Sequence, residues 1–257
     1  MGRWSRLVAD GFVAWLDAGA GLRWLDVGCG TGALAATVAA RCRPRTVVGV
    51  DRSAGFVASA ERARRAPGGF VVADARSLPV RDAACDMAVS GLALNFLSEP
   101  VVAVTEAARV VRPGGTVAAY VWDYSEGMAF LRCFWDAVVT LEPSAAARDE
   151  GRRFPLCRPE PLHAVWAEAG LEDLMVVPIE VPTDFSGFAD FWEPFLAGQG
   201  PAPAYVASLA PAERDRLRDT LRRAVPAGPD GQIALTARAW AVRGRKPGRD
   251  GEDRPPS

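Results

Sequence analysis

A carboxylate stands two residues ahead of a glycine-rich turn: Asp26 precedes Gly28-Cys29-Gly30-Thr31-Gly32. The glycines let the backbone bend sharply and let a ligand approach with no Cβ in the way. The turn alone does not choose its ligand. Read loosely, Gly28-x-Gly30-x-x-Ala33 satisfies the dinucleotide fingerprint, and a glycine-rich turn that holds nothing has the same spacing. Asp26 separates these readings. A dinucleotide turn has to accept a pyrophosphate, which a carboxylate repels, whereas a ligand with a cationic head is attracted. Asp51 ends the next β-branched run, 19 residues after Gly32. A carboxylate there can accept hydrogen bonds from both hydroxyls of a ribose. Asp74 ends a third apolar run and can accept from the exocyclic amino group of a base. An adenosine with an intact diol, no phosphate and a cationic amino-acid tail has all of these parts, and S-adenosylmethionine is such a ligand.

These residues need strand ends to hold them, and the chain supplies the pattern. Residues 3–18 have helical apolar spacing, stopped by Gly19 and Gly21. Strand-like runs follow at 22–27, 46–50, 70–73, 85–90 and 116–122, separated by helical segments at 33–42, 53–66 and 98–111. Ser53 and Ser98 are placed to cap two of these helices. Arg112-Pro113-Gly114-Gly115 closes the last of them. Such alternation predicts a parallel sheet covered on both faces. Beyond it the pattern predicts a helix over 126–141, a loop over 152–158, a helix over 160–169 and a sixth strand over 171–181. An aromatic and arginine-rich insertion follows at 184–226, with a turn at 198–203 and a helix at 212–224, and then a seventh strand over 232–242. The expected unit is a single domain over 1–243, opening with the helical segment 1–21. A polar, proline-rich tail over 244–257 is expected to be disordered.

The segments LDVGCGTGAL (25–34), VDRSAGFVASA (50–60), ADARSLPV (73–80) and RVVRPGGTVAAYVW (109–122) together resemble class I S-adenosylmethionine-dependent methyltransferases. The branch is the small-molecule one, similar to the quinone-biosynthesis methyltransferases. The resemblance covers residues 22–122. It implies an α/β, Rossmann-like, seven-stranded and mostly parallel sheet with a helical insertion between strands six and seven. It also implies roles by position. Asp26 and Gly28 face the methionine amino group, with Gly30 packed against the cofactor. Asp51 binds the ribose diol and Arg52 lies beside the adenine. Asp74 and Ala75 meet the adenine edge, and Ser90 lines the methionine side. Arg52 serves equally well as a solvent-exposed helix-entry residue. Cys29 is a small filler of the turn.

Methyl transfer is an in-line displacement at a sulfonium carbon, so a strong binding motif is compatible with no visible catalytic residue. Candidate substrate-lining residues follow strand four (Leu92, Leu94, Asn95) and strand five (Trp122, Asp123, Tyr124), with Trp192 added from the insertion. Phe188, Phe191, Trp192 and Phe195 share one helical face. They form either an apolar roof over a substrate or a stripe packed on the sheet domain. Asp123, and less so Tyr124 and His163, are the candidates for a general base. Asp123 also fits a helix cap near Ser125, and His163 fits a surface or packing position.

Thirty basic residues against 31 acidic give a net charge of −1, which argues against nucleic acid as a partner. The arginine-rich run 214–223 pairs its charges at helical spacing, as a solvated helix face does. The amino-methyltransferase Asn/Asp-Pro-Pro-aromatic turn is missing after strand four, where the chain reads Ser90-Gly91-Leu92-Ala93-Leu94-Asn95-Phe96. Five cysteines without a CxxC pair and a single histidine predict a reducing compartment and no metal site. With no signal-peptide pattern and no run of ~18 apolar residues, the expectation is a cytoplasmic enzyme free of membranes. Its expected substrate is a small, apolar metabolite. A nicotinamide-dependent oxidoreductase and a cofactor-binding protein without methyl transfer are the alternatives.

Overall fold

The computed structural model describes residues 2–64, 67–197 and 200–248. Its strands are β1 (Arg23–Val27), β2 (Thr46–Asp51), β3 (Gly68–Val72), β4 (Cys85–Gly91), β5 (Val111–Trp122), β6 (Glu172–Phe185) and β7 (Ile233–Arg245). The helices are α1 (Gly2–Leu16), α2 (Ala33–Cys42), α3 (Ala54–Ala63), α4 (Pro100–Val110) and α5 (Ala129–Leu141). They continue as α6 (Glu150–Arg153), α7 (Pro159–Glu168), α8 (Phe188–Ala197), α9 (Pro201–Ser208) and α10 (Pro211–Ala224).

The strands form one sheet in the order β3-β2-β1-β4-β5-β7-β6. β1 to β5 pair in parallel, and β7 lies antiparallel between β5 and β6. This is the expected seven-stranded, mostly parallel Rossmann-like sheet. The chain runs outward from β1 through β2 to β3, then restarts on the other side of β1 with β4. The reversal leaves a crevice at the carboxyl ends of β1 and β4, where open α/β sheets bind ligands.

The pleat sorts alternate residues of the central strands into two apolar layers. Trp24, Ala118, Tyr120 and Trp122 face α1, α2 and α5, and Leu25, Ala119 and Val121 face α4 and α7. Burial on both sides explains the nearly unbroken apolar runs of these strands.

Several boundaries differ from expectation. α3 ends at Ala63 rather than near residue 66, and residues 65 and 66 lie outside the described residues. The N-cap of α4 is Glu99, not Ser98, and it makes no side-chain capping bond. Ser53 does cap α3, accepting from the Phe56 N–H at 3.3 Å. β5 begins at Val111 and absorbs the Arg-Pro-Gly-Gly turn, with Gly114 at φ 72°. The segment expected as a loop over 152–158 contains the end of α6 and a 3₁₀ turn at 155–157. Pro201 and Pro203 lie in the first turn of a helix, α9, which tolerates proline because its first N–H groups have no intrahelical partner. The turn expected at 198–203 is thereby shortened, with residues 198 and 199 outside the description. The start of the expected tail, residues 244–246, is instead ordered. β7 continues to Arg245, and Lys246 donates to the carbonyls of Arg109 and Val111 at 3.2 and 2.8 Å, closing the end of α4. Residues 249–257 lie outside the described residues.

α8, α9 and α10 form a cap against α5 and the end of β6. Phe134 of α5 stacks on Phe195 of α8 with ring centroids 4.4 Å apart, and Trp4 of α1 meets Phe185 edge-on at 5.2 Å. α10 buries Leu217 and Leu221 and turns its ion pairs, such as Arg218–Asp215 at 3.2 Å, toward solvent. Among the described residues no helix is long and apolar enough to cross a membrane.

Candidate functional site

The glycine turn is built by hydrogen bonds that consume its own donors. The N–H groups of Gly28 and Cys29 both donate to the Val50 carbonyl, at 2.8 and 3.0 Å, and that of Gly32 donates to Cys29. The Gly30 N–H donates to Asp51 Oδ2 at 2.9 Å. Gly28 has φ 73°, and a Cβ there would lie 2.4 Å from the Ala93 Cβ, so glycine is required on both counts. At Gly30, also left-handed at φ 54°, an added Cβ would meet open space on the ligand side.

Asp26, two residues ahead of this turn, is buried, 1% exposed. Its Oδ2 accepts from the Ala35 N–H at 3.1 Å, and its Oδ1 is buried with no partner. Burial pushes the carboxyl up to about 7; the Ala35 N–H opposes the shift and the nearby Asp51 charge adds to it. An orphaned buried carboxylate oxygen is costly unless a donor reaches it, and a cationic one suits it best.

Above the turn opens a cavity of about 750 Å³, within the usual range for small-ligand sites. It gathers Gly28, Gly30, Asp51, Arg52, Asp74 and Ala75, all expected from the sequence. Asp51 is braced by two backbone donors, Gly30 to Oδ2 and Ser53 to Oδ1 at 2.8 Å. Each of its oxygens keeps a lone pair for another donor. Asp74 lies at the far end, where the Arg76 side chain and N–H hold its carboxyl down at about 2.

Other expected residues lie elsewhere, and Asp26, buried two residues before Gly28, does not itself line the cavity. Ser90 is buried in β4 and borders a separate small cavity with Leu94 and Trp166. Asn95, Trp122, Tyr124 and Trp192 do not line the large cavity. Trp122, Tyr124 and Trp192 are core residues, exposed by 2, 6 and 7%. The aromatic stripe of α8 is likewise packed: Phe191 and Phe195 are buried against Phe185, Phe130 and Phe134. The packed reading of that stripe holds because α5 offers it a matching aromatic face. Asp123 is a structural carboxylate. Its Oδ1 accepts from the Ser125 hydroxyl and from the N–H groups of Ser125 and Glu126, and its Oδ2 from Arg238 at 2.7 Å. Burial alone would raise it, but these donors outweigh burial and hold it below the ordinary carboxylate range, which suits it poorly to accept a proton. His163 is exposed on α7. Burial raises the Cys29 thiol, so it stays protonated, as a filler residue does.

Leu92, expected as a lining residue, does line the cavity, and sequence reasoning missed Phe56, Arg76 and Phe96, which line it too. Leu92 is held at φ 61°, its N–H donating to the Tyr120 carbonyl at 2.8 Å. Phe96 is 61% exposed and meets Phe154 edge-on at 5.5 Å; Phe154 in turn lies 5.5 Å from Tyr124. Arg76, two residues after Asp74 in ADARSLPV, was open to notice from charge and spacing; the aromatics carried no such signal.

S-adenosylmethionine fits these residues and a dinucleotide does not. Asp51 takes the Gly30 amide of the turn and Asp26 that of Ala35 in the first turn of α2, amides that a pyrophosphate would need, and the orphaned Oδ1 of Asp26 is an acceptor. Among the described residues no cluster of His, Cys, Asp and Glu could hold a metal ion.

Residues 25–119 match a family described as "Methyltransferase domain". Over 90 residues the chain is 32% identical to a malonyl-[acyl-carrier protein] O-methyltransferase of Marinomonas sp. (strain MWYL1), covering 34% of this chain and 33% of that protein. The chain thus aligns with about a third of the length of this curated relative. Among solved structures it is similar to the YcgJ protein of Bacillus subtilis (TM-score 0.57, 18% identity, 94% of this chain and 99% of that one). It is also similar to Haemonchus contortus phosphoethanolamine N-methyltransferase 2, solved with phosphomonomethylethanolamine and S-adenosylhomocysteine (TM-score 0.57, 18% identity, 94% and 52%). A third similar structure is the [4+2]-cyclase SpnF (TM-score 0.52, 23% identity, 96% and 81%). The fold is that of the class I methyltransferases, as the motifs over 22–122 implied.

Proposed function

We propose that this chain, with its methyltransferase domain over 25–119, is an S-adenosylmethionine-dependent methyltransferase acting on a small, apolar metabolite. One observation carries the reading. The cavity at the carboxyl ends of β1, β2 and β4 is lined by a carboxylate, Asp51, with an acceptor lone pair free on each oxygen, and by Gly28, two residues after Asp26, whose buried Oδ1 has no partner.

In this reading Asp26 pairs with the ammonium of the amino-acid tail and Gly28 and Gly30 let that tail lie against the backbone. Asp51 accepts from the ribose hydroxyls, Arg52 flanks the base, and Asp74 with the Ala75 backbone meets its edge. Ser90 acts from beneath, by filling the end of β4. When bound, S-adenosylmethionine supplies a methyl group already activated by its sulfonium charge. The protein then has to hold the acceptor in line and keep water out. Leu92, Phe96 and Leu97 give the acceptor an apolar wall, and Phe154 supports Phe96 from behind. Apolar substrate recognition is assigned to this wall and not to the α8 stripe.

Calorimetric titration with S-adenosylhomocysteine and with NADH tests the cofactor: the first is expected to bind and the second to give no heat. Tight NADH binding with no response to S-adenosylhomocysteine would overturn the reading. Incubation with labelled cofactor and a metabolite extract then separates methyl transfer from cofactor binding alone. Asp51→Ala is expected to weaken S-adenosylhomocysteine binding more than tenfold, because it removes charge-assisted hydrogen bonds worth about 1.5–3 kcal/mol. An unchanged dissociation constant would count against the ribose assignment.

A further inference from the structure

Arg76 is tied into the adenine end of the cavity from two sides. Its backbone N–H and its Nε both donate to Asp74 Oδ1, at 2.9 and 3.1 Å, and its Nη2 donates to Asp74 Oδ2 at 2.8 Å. Its Nη1 reaches across to Glu99 Oε2 at 2.6 Å, at the N-terminus of α4. Arg76 itself lines the cavity, together with Asp74 and Ala75. Both lone pairs of Oδ1 are taken, and Oδ2 keeps one. The planar guanidinium fixes the carboxylate plane, which a point charge would not do.

We propose that Arg76 is a positioning residue for base recognition: its fork, anchored on Glu99, orients Asp74 so that the remaining lone pair of Oδ2 accepts from the 6-amino group of the bound nucleoside. The inference rests on the S-adenosylmethionine reading and deepens it. As an isolated surface ion pair the Arg76–Asp74 contact would matter little, since both side chains are more than 40% exposed. Its value lies in limiting where Asp74 points once a base covers it. A carboxylate held this way favours a base that carries a donor at position 6 over one that carries none.

The test compares S-adenosylhomocysteine with its 6-desamino counterpart, in which purine replaces adenine, by calorimetry on the full chain. Wild type is expected to prefer the amino ligand roughly tenfold, the size of one charge-assisted hydrogen bond. Arg76→Ala is expected to shrink that preference to roughly two- or threefold, by weakening the amino ligand while leaving the desamino ligand little changed. Arg76→Lys should not restore it, because lysine cannot form the parallel pair of bonds. Glu99→Gln, which loosens only the outer anchor, should lower the preference part of the way. A preference in Arg76→Ala equal to that of wild type would overturn the positioning role, and a general loss of affinity for both ligands alike would make Arg76 merely structural. A wild type that binds both ligands equally would remove Asp74 from base recognition. A wild type that binds neither would instead overturn the cofactor reading.

Discussion

Asp26→Asn is expected to weaken S-adenosylhomocysteine binding roughly 30- to 100-fold at pH 8, the ~2–3 kcal/mol of a buried charge-assisted hydrogen bond. The geometry makes the loss specific: Oδ2 keeps its Ala35 donor, while the orphaned Oδ1 becomes an N–H₂ that faces an ammonium. Wild type is also expected to bind with a pH dependence that the variant lacks. Burial places the Asp26 carboxyl near 7, and a cationic ligand binds its ionised form. Affinity should therefore fall as pH drops below about 7, approaching tenfold per unit, with a proton released on binding at pH 6. Calorimetry in buffers of different ionisation heat measures both quantities, and a pH-independent wild-type affinity would contradict the assignment. Stability runs the other way. A folded-state value raised above the ordinary 3.8 means that the folded chain holds this proton more tightly than the unfolded chain does. The resulting advantage is full below about pH 4 and is lost as pH rises through about 7. Without ligand, Asp26→Asn should melt higher than wild type at pH 8 and lose that advantage at pH 5.

Phe134→Ala is expected to cost about 3–5 kcal/mol of stability, as the removal of a fully buried ring does. For a chain of this size that is a fall of roughly 10 °C in melting temperature. Phe134 is 0% exposed and touches Phe195, Trp135 and Tyr205, so its loss opens a void where the cap meets α5. Because it does not line the cavity, affinity for S-adenosylhomocysteine measured well below the melting point should stay within about twofold of wild type. A large loss of affinity with little change in melting would show that the α8 aromatics act on the ligand after all. Thermal denaturation alongside titration separates the two results.

The half of the molecule that carries the glycine turn was the more legible half. Asp26, Asp51 and Asp74 could be placed because each lies at or near the carboxyl end of a short strand, Asp26 one residue before the end of β1, Asp51 at the end of β2 and Asp74 two residues past β3, and parallel pairing brings those ends to one side of the sheet. The glycine turn was legible because only glycine fits Gly28 against Ala93. What stayed hidden was tertiary. Nothing local says that Trp122 and Tyr124 point into the core and not at a ligand, since one step of the pleat decides it. The α8 stripe reads alike whether it covers a substrate or α5. α9 was hidden by its prolines, which break helices in the interior but not in the first turn. Asp123 carried two readings in the sequence, a base and a helix cap near Ser125; α5 begins only at Ala129 with Met128 before it, so Asp123 instead closes the turn over 124–127, and Arg238, 115 residues away, completes the carboxylate's partners.

The position of β7 bears on how the molecule is made. The strand in the middle of the antiparallel half is the last of the seven that a ribosome delivers. Until Ile233–Arg245 emerges, β5 and β6 have no shared neighbour, and each carries an unsatisfied row of amides and carbonyls. Nascent chains caught in that interval present open edges, which recruit other strands and favour aggregation. The half that pairs β1 to β4 can close earlier, so late misfolding would leave the glycine-turn end formed on an otherwise unfinished protein.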